Sequence, residues 1–386
     1  MMVLNVNSSI DSHKGGGMAE RTFQVSKFLA RAGVECTVLT TDMGLTPERV
    51  RSMENVEVIA LPCLNHRFYL PKFSYAGLRE IVKRADIVHL MGHWTFLNAL
   101  AYQIVRSLGK AYAVCPAGAL PVFGRSKMIK MMYNQLAGKR IIRNADCHIA
   151  ITRGELPAFL SYGVDSDRVS VIPNGINPDD FLERNDAEFR KKFGLSEKLI
   201  ILYMGRLNRI KGPDLLLRAF CSLKDELPEY QLVFAGPDEG MMEELKKLVA
   251  LSDMEDRVRF IGHIGGVDKS FAYHAAELLV VPSRQEAMSI VALESGVTGT
   301  PVLITDQCGF DEITAADGGR VVPATVDGLK EGLILMMADC DGLRTMGAKL
   351  KQFVEENFTW DLVAAEYIHL YRRILDKKRA NEHSYN

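Results

Sequence analysis

Short apolar runs alternate along the chain with longer segments in which apolar positions recur every three or four residues. This alternation occurs in both halves. The first half predicts strands at VLNVN, ECTVLT, VEVIA, DIVHL, AYAVC, CHIAI and RVSVIP, and the second at LIILYMG, QLVFAG, RVRFIG, LLVVP and PVLIT. Runs this continuous suit strands buried on both faces, as in a parallel sheet with helices packed on each side. The pattern breaks at IPNGINPDDFLERNDAEFRKKFGL, where a turn dipeptide, prolines and dense charge intervene. The expectation is therefore an α/β chain with one parallel-sheet domain over 1–175, a linker over 176–198, a second domain over 199–360 and a terminal helix over 361–386.

A chain of 386 residues can bury two cores of ordinary size, and 47% hydrophobic with 25% charged residues is the balance of a water-soluble globular protein. A formal net charge of -1 argues against a general nucleic-acid binder, so any basic surface has to be local. The seven cysteines form no CxxC pair, and several lie in apolar strand-like runs, which suits buried thiols in a reducing compartment. The N-terminus MMVLNVNSSI lacks the basic and long apolar regions of a signal peptide, and no apolar run reaches the roughly 18 residues of a membrane span. A cytoplasmic protein is expected, meeting a membrane only from its side.

Chemistry concentrates in PSRQEAMSIVALESGVTGTP. The preceding LLVVP reads as a buried strand and Ser289 as the cap of the helix IVALESGV, so Glu286 falls in the connecting loop and Glu294 about one turn into the helix. Free amides from Ala287 through Met288 and Ser289 to Ile290, together with the positive helix end, would form an anion site suited to a diphosphate. Phosphates repel carboxylates, so the two glutamates are better suited to accept hydrogen bonds from hydroxyl pairs. Glu294 is assigned to a ribose diol and Glu286 to the hydroxyls of a sugar. After LIILYM comes GRLNRIKG, where Gly205 precedes Arg206 and Lys211 precedes Gly212. Two cations beside a leaving diphosphate stabilise the charge that builds as the bond to it breaks.

Gly15, Gly16 and Gly17 follow the first strand and precede the helix MAERTFQVSKFLARAG, where glycine allows close backbone approach to a ligand. They do not form GxGxxG, and only Asp42 lies near the end of the second strand. A nicotinamide enzyme is therefore the weaker reading.

Glu286, seven residues, Glu294, followed by Gly299, Thr300 and Pro301, resembles the hallmark of the retaining glycosyltransferases of family 4. The resemblance runs from the glycine loop to the helix in FTWDLVAAEYIHLY. It implies the GT-B fold: two Rossmann-like domains facing a central cleft, with the C-terminal helix crossing back to the first domain. It also implies a nucleotide-sugar co-substrate, UDP or GDP type, with no other cofactor; because Arg206, Lys211 and the helix N-terminus already balance the diphosphate, no metal is expected. Arg206 and Lys211 would contact the diphosphate, Gly16 and Gly17 the groups in the cleft, and Gly262, His263 and Ile264 the base through backbone atoms. The acceptor would be a glycan or a lipid-diphosphate-linked chain of polysaccharide or lipopolysaccharide type.

In DIVHLMGHWTF, His93 and Trp94 are expected to contact the sugar, with His93 among the catalytic residues and His89 buried. Many relatives carry His-Gly after the strand matching AYAVC; here Ala117 precedes Gly118. Ala117 suits a donor without a 6-hydroxyl, or a site in which His93 substitutes.

FGRSKMIKMMYNQLAGKRIIRN, residues 123–144, carries Arg125, Lys127, Lys130, Lys139, Arg140 and Arg143 without an acid and with apolar residues interleaved. Such a stretch suits either an anionic membrane surface or a solvated helix with its apolar side in the core. The pairs Asp165/Asp167 and Asp339/Asp341 match Asp-x-Asp but fall in loops away from the other signals. A sugar phosphorylase, an epimerase and a nucleotide-sugar-binding scaffold without turnover remain alternatives.

Overall fold

The computed structural model describes residues 1–11, 15–122 and 126–384, with side chains through residue 380 except that of Cys340. It divides into two units, one formed by Met1–Asn174 with the chain from Trp360 onward, the other by Gly175–Thr359. In each, strands buried on both faces occupy the middle of a parallel sheet, and partly exposed strands lie at its edges.

The first unit contains β1 (Met2–Val6), β2 (Glu35–Thr41), β3 (Val56–Leu61), β4 (Cys63–Asn65), β5 (Leu70–Pro71), β6 (Ile87–Met91), β7 (Ala111–Cys115), β8 (Cys147–Ala150) and β9 (Val169–Val171). Seven of them form one sheet in the order β3-β2-β1-β6-β7-β8-β9. Every residue of β1, β6, β7 and β8 is buried, whereas β3 and β9 are partly open to solvent. β4 and β5 pair as a small antiparallel hairpin. At three and two residues they are too short for any periodicity to announce.

One buried cation joins distant segments of this unit. Arg21, on the helix Gly16–Arg31, is 1% exposed. Its Nη1 donates to Pro173 O (2.9 Å) and Asn174 Oδ1 (2.7 Å), and its Nη2 to Ile172 O (2.7 Å) and Tyr367 Oη (2.7 Å). Four acceptors make the burial of this guanidinium tolerable. Tyr367 lies on the final helix, Trp360–Ser384, which packs against Gly16–Arg31. Tyr371 of that helix meets the Nδ1 of buried His89 at 2.7 Å.

The second unit contains β10 (Leu199–Met204), β11 (Tyr230–Ala235), β12 (Val258–Gly262), β13 (Ala276–Val281), β14 (Val302–Thr305) and β15 (Gly319–Val322), in the order β12-β11-β10-β13-β14-β15. β15 escapes the sequence reading because GRVV is a four-residue edge strand, only partly buried. Both sheets reverse their strand order beside the first strand, between β1 and β6 and between β10 and β13. Carboxyl-end loops diverge there and leave room for a ligand.

The segment expected as a linker over 176–198 is instead part of the second unit. Ile176 donates its amide to Phe358 O (2.7 Å), Ser270 Oγ donates to Glu183 O (2.5 Å), and Lys192 pairs with Asp268 (2.7 Å). Phe189, on the helix Asp186–Phe193, is fully buried. Phe189 is the buried apolar residue of that helix, and Lys192 adds a polar tie to Asp268.

Replacing Arg21 with Met should cost at least about 3 kcal/mol of unfolding free energy, because four acceptors lose their donor in a dry environment. Denaturant unfolding checks this; a loss under about 1 kcal/mol would mean that water replaces the guanidinium.

Candidate active site

Two loops meet at the carboxyl ends of β10 and β13. The β10 loop bears Gly205, Arg206 and Lys211, and the β13 loop bears Ser283 and Glu286. They approach so closely that a Cβ on Gly212 would lie 2.0 Å from Pro282 O, and Gly212 also has φ +67°, a conformation that favours glycine. Asn208 shapes the first loop by accepting the Lys211 amide on Oδ1 (3.0 Å). Arg284 ties the loops together: its amide donates to Ile210 O (2.7 Å), its Nη1 to Arg209 O (2.7 Å), and its guanidinium grips Asp214 with contacts of 2.8 and 2.7 Å. Burial works against the Asp214 charge, and the Arg284 fork more than offsets it, so Asp214 is held below the usual carboxylate range.

Within this frame Lys211 Nζ pairs with Glu286 Oε1 at 2.7 Å, and Ser283 Oγ donates to Glu286 Oε2 at 3.0 Å. The ammonium and the carboxylate are 23% and 13% exposed, so both remain reachable. Arg206 Nη1 lies 3.0 Å from Glu239 Oε1, and Asn208 Nδ2 donates to Glu239 Oε2 at 2.7 Å.

The helix after the second loop is Ile290–Thr298, with Ser289 at its N-cap position. Contrary to the expected capping bond, the Ser289 hydroxyl is fully buried and has no hydrogen-bond partner among the described residues. The expected run of free amides is also shortened. Ser289 N–H is already used, donating to Cys308 O (3.1 Å). The amides left without intrahelical partners begin at Ile290.

Glu294, expected to face a ribose, is 6% exposed and already engaged: Lys269 Nζ lies 2.5 Å from Oε1, and Tyr273 Oη donates to Oε2 at 2.6 Å. Gly262 closes β12 with φ +75°, His263 is exposed with a partner of its own, and Ile264 is buried.

The family model described as glycosyl transferases group 1 matches residues 185–353, and the glycosyl transferase 4-like domain model matches residues 16–175. The chain belongs to the group 1 glycosyl transferases. It is 26% identical over 397 residues to D-inositol 3-phosphate glycosyltransferase of Xylanimonas cellulosilytica, covering 95% of this chain and 93% of that one. Its structure is similar to sucrose-phosphate synthase from Thermosynechococcus elongatus (TM-score 0.76, 23% identity, 98% and 100% covered). It is also similar to Anabaena HepE in complex with UDP and glucose (TM-score 0.78, 16% identity, 97% and 100% covered). The fold is GT-B.

The remaining candidates of this glycosyltransferase, Gly16, Gly17 and His93, lie in the first unit. Gly16 and Gly17 are exposed at the start of their helix, Gly16 with φ +65°. His93 is 2% exposed, in place of the open sugar contact expected for it. Its Nε2 meets Asn134 Oδ1 at 3.0 Å, its Nδ1 is buried without a partner among the described residues, and the rings of Trp94, Tyr133 and Tyr162 surround it. Asn134 reaches inward from a π-helical turn, Asn134–Gly138, and donates to Tyr162 Oη at 2.7 Å. Ala117 holds φ +44°, a strained conformation for a residue with a Cβ, and Gly118 N–H donates to Glu155 Oε2 at 2.8 Å.

Phe123 and Arg125 of the basic stretch lie outside the described residues. Beyond them Ile141 and Ile142 enter the core, whereas Met128 is 84% and Leu136 68% exposed and Met131 and Met132 are also open to solvent. Asp339 caps the helix Cys340–Asn357 through Gly342 N–H (2.9 Å). Sequence reading missed Lys269, Tyr273, Glu239 and the Arg284–Asp214 pair. Only Ser283, three residues before Glu286, carried a local signal.

Burial pushes His93 down to about 4, despite the Asn134 bond, and His89 down to about 3, with Arg21 adding to the effect. Both folded values lie below the unfolded one near 6.5, so the stability they confer is complete above pH 6.5 and is lost as pH falls toward 4 and below. Each histidine should cost on the order of 2 kcal/mol at pH 5. Unfolding midpoints of wild type and His93→Gln between pH 7.5 and 4.5 check this: the variant should show the shallower decline.

Proposed function

We propose that this glycosyltransferase moves a sugar from a nucleoside diphosphate sugar, UDP or GDP type, to a glycan or lipid-linked acceptor, with retention at the anomeric carbon and without a divalent metal. The observation that carries the reading is Lys211 beside Glu286, with Arg206 on the same loop and the Ile290 helix following. Breaking the bond between the anomeric carbon and the phosphate oxygen transfers its electron pair to the diphosphate. Arg206 and Lys211 stabilise that charge more in the transition state than before it. The same cations meet the electrostatic need that a metal would otherwise serve.

Retention follows if the acceptor attacks the face that the diphosphate leaves, its proton passing to the departing phosphate oxygen. Glu286, held by Lys211 and Ser283, is oriented to accept hydrogen bonds from sugar hydroxyls and is not assigned as a nucleophile. Arg206 exchanges Glu239 for phosphate on binding, and Glu294 keeps lone pairs for a ribose diol beside Lys269. HepE, which shares the fold, is described with UDP and glucose, which supports a uridine diphosphate sugar as the donor here.

The exposed methionines and Leu136 among Lys127, Lys130, Lys139 and Arg140 support a further part of the reading: this face rests on an anionic membrane on the cytoplasmic side and admits a lipid-linked acceptor.

A thermal-shift panel of UDP, GDP, ADP and dTDP with chelator present checks the donor reading. One nucleotide at 100 times its Kd should add about 2.7 kcal/mol of stability, and Arg206→Ala should weaken its affinity about tenfold. No shift with any nucleotide, or turnover abolished by chelation, would overturn the donor or metal part respectively. Sedimentation with phosphatidylglycerol vesicles at low salt should recover the wild type and leave a Met128→Ser, Met131→Ser, Leu136→Ser variant in solution. Equal recovery would remove the membrane contact.

A further inference from the structure

The first unit carries a second concavity, at the amino ends of β8 and β9, the opposite end of the sheet from the loop that holds Ala117. Its volume is about 490 Å³. One wall comes from the starts of β8 and β9 and bears Asp146, Arg168 and Ser170; the other is a face of the final helix bearing Leu370, Arg373, Ile374, Lys377 and Lys378.

The helix positions recur as i, i+3, i+4, i+7 and i+8, the spacing of a single face. Leu370 and Ile374 on that face are buried, and the three cations stand beside them. Arg168, Arg373, Lys377 and Lys378 enter no ion pair among the described residues. Two acids share the lining, Asp146, whose Oδ2 accepts the Tyr112 amide at 2.9 Å, and Asp167; neither pairs with any of the four cations, which outnumber them. Arg373 and Lys377 stand four apart on the helix, a like-charge spacing that is mildly destabilising unless an anion lies between them. With four cations and two acids lining it, the concavity keeps an excess of positive charge that attracts anions. Arg168 and Arg373 offer planar forks suited to phosphate oxygens, and Ser170 adds a hydroxyl.

We infer that this pocket binds a phosphate-bearing ligand, at a site separate from the candidate donor site in the second unit. Its chemistry is that of a phosphate monoester or diphosphate, which a soluble metabolite or a lipid headgroup could supply. The inference does not rest on the proposed transferase mechanism, because none of its residues contributes to it.

Pyrophosphate titrated into the full chain by calorimetry is the test, with two variants in parallel. Arg373→Ser with Lys377→Ser should weaken the affinity about tenfold or more, as expected for two charge-assisted contacts. Arg206→Ala with Lys211→Ala should keep a binding event of wild-type affinity. Arg373, Lys377 and Arg206 are exposed and Lys211 is half-buried, and thermal unfolding in the absence of ligand verifies that each variant folds. Absent binding, or binding lost only with Arg206 and Lys211, would overturn the site. Vesicles of phosphatidic acid identify the source: recovery that depends on Arg373 and Lys377, and persists in the Met128, Met131 and Leu136 variant, supports a headgroup. Pyrophosphate binding through Arg373 and Lys377 without such recovery supports a soluble ligand.

Discussion

The backbone contact between Gly212 and Pro282 is the constraint on which the candidate active site depends. No side chain fits at position 212, because its first carbon would overlap Pro282 O. The loops after β10 and β13 can therefore touch, and Lys211 reaches Glu286 across a half-buried gap. Arg284 and Asp214 hold that contact from the outer side with a two-pronged ion pair. Neither residue need meet a ligand for the site to have its shape. Rigid positioning of charges before a ligand arrives is what makes them effective against developing charge.

The same region shows how charge is accommodated without a ligand. Glu286, Glu294 and Glu239 each hold a cation: Lys211, Lys269 and Arg206. An unpaired carboxylate as buried as Glu294 would be costly, and a second donor from Tyr273 completes its coordination. Ligand binding in such a site exchanges partners; it does not meet bare charges. Selectivity then comes from how well incoming hydroxyls and phosphates replace the bonds they displace.

Much of the architecture was legible in the sequence. The long apolar runs announce the central strands, because a strand covered on both faces has to be predominantly apolar, with its few polar residues hydrogen-bonded. The glutamate pair, Gly205, Arg206 and Lys211 were legible for a related reason, lying just beyond such strands where chemistry is concentrated. β4, β5 and β15 were not, being too short or too exposed to leave a pattern. The segment 176–198 read as a linker because its charges dominate, although buried Phe189 and the Lys192–Asp268 pair anchor its helix. His93 read as an open contact because it follows a strand end, but Tyr133, Asn134 and Tyr162, far along the chain, close over it.

What the sequence determined by itself is local: which segments are strands, which helices follow them, and which residues sit at their ends. Periodicity and turn chemistry act over a few residues, so a single stretch of chain carries them. Partnership was decided only by the tertiary structure. Lys269 and Tyr273 meet Glu294, Arg284 meets Asp214, and Arg21 meets Tyr367 across separations of 25, 21, 70 and 346 residues. A charge or hydroxyl carries no mark of its distant partner. Only the packing of apolar strands and helices, which excludes water from these groups, compels them to find one another.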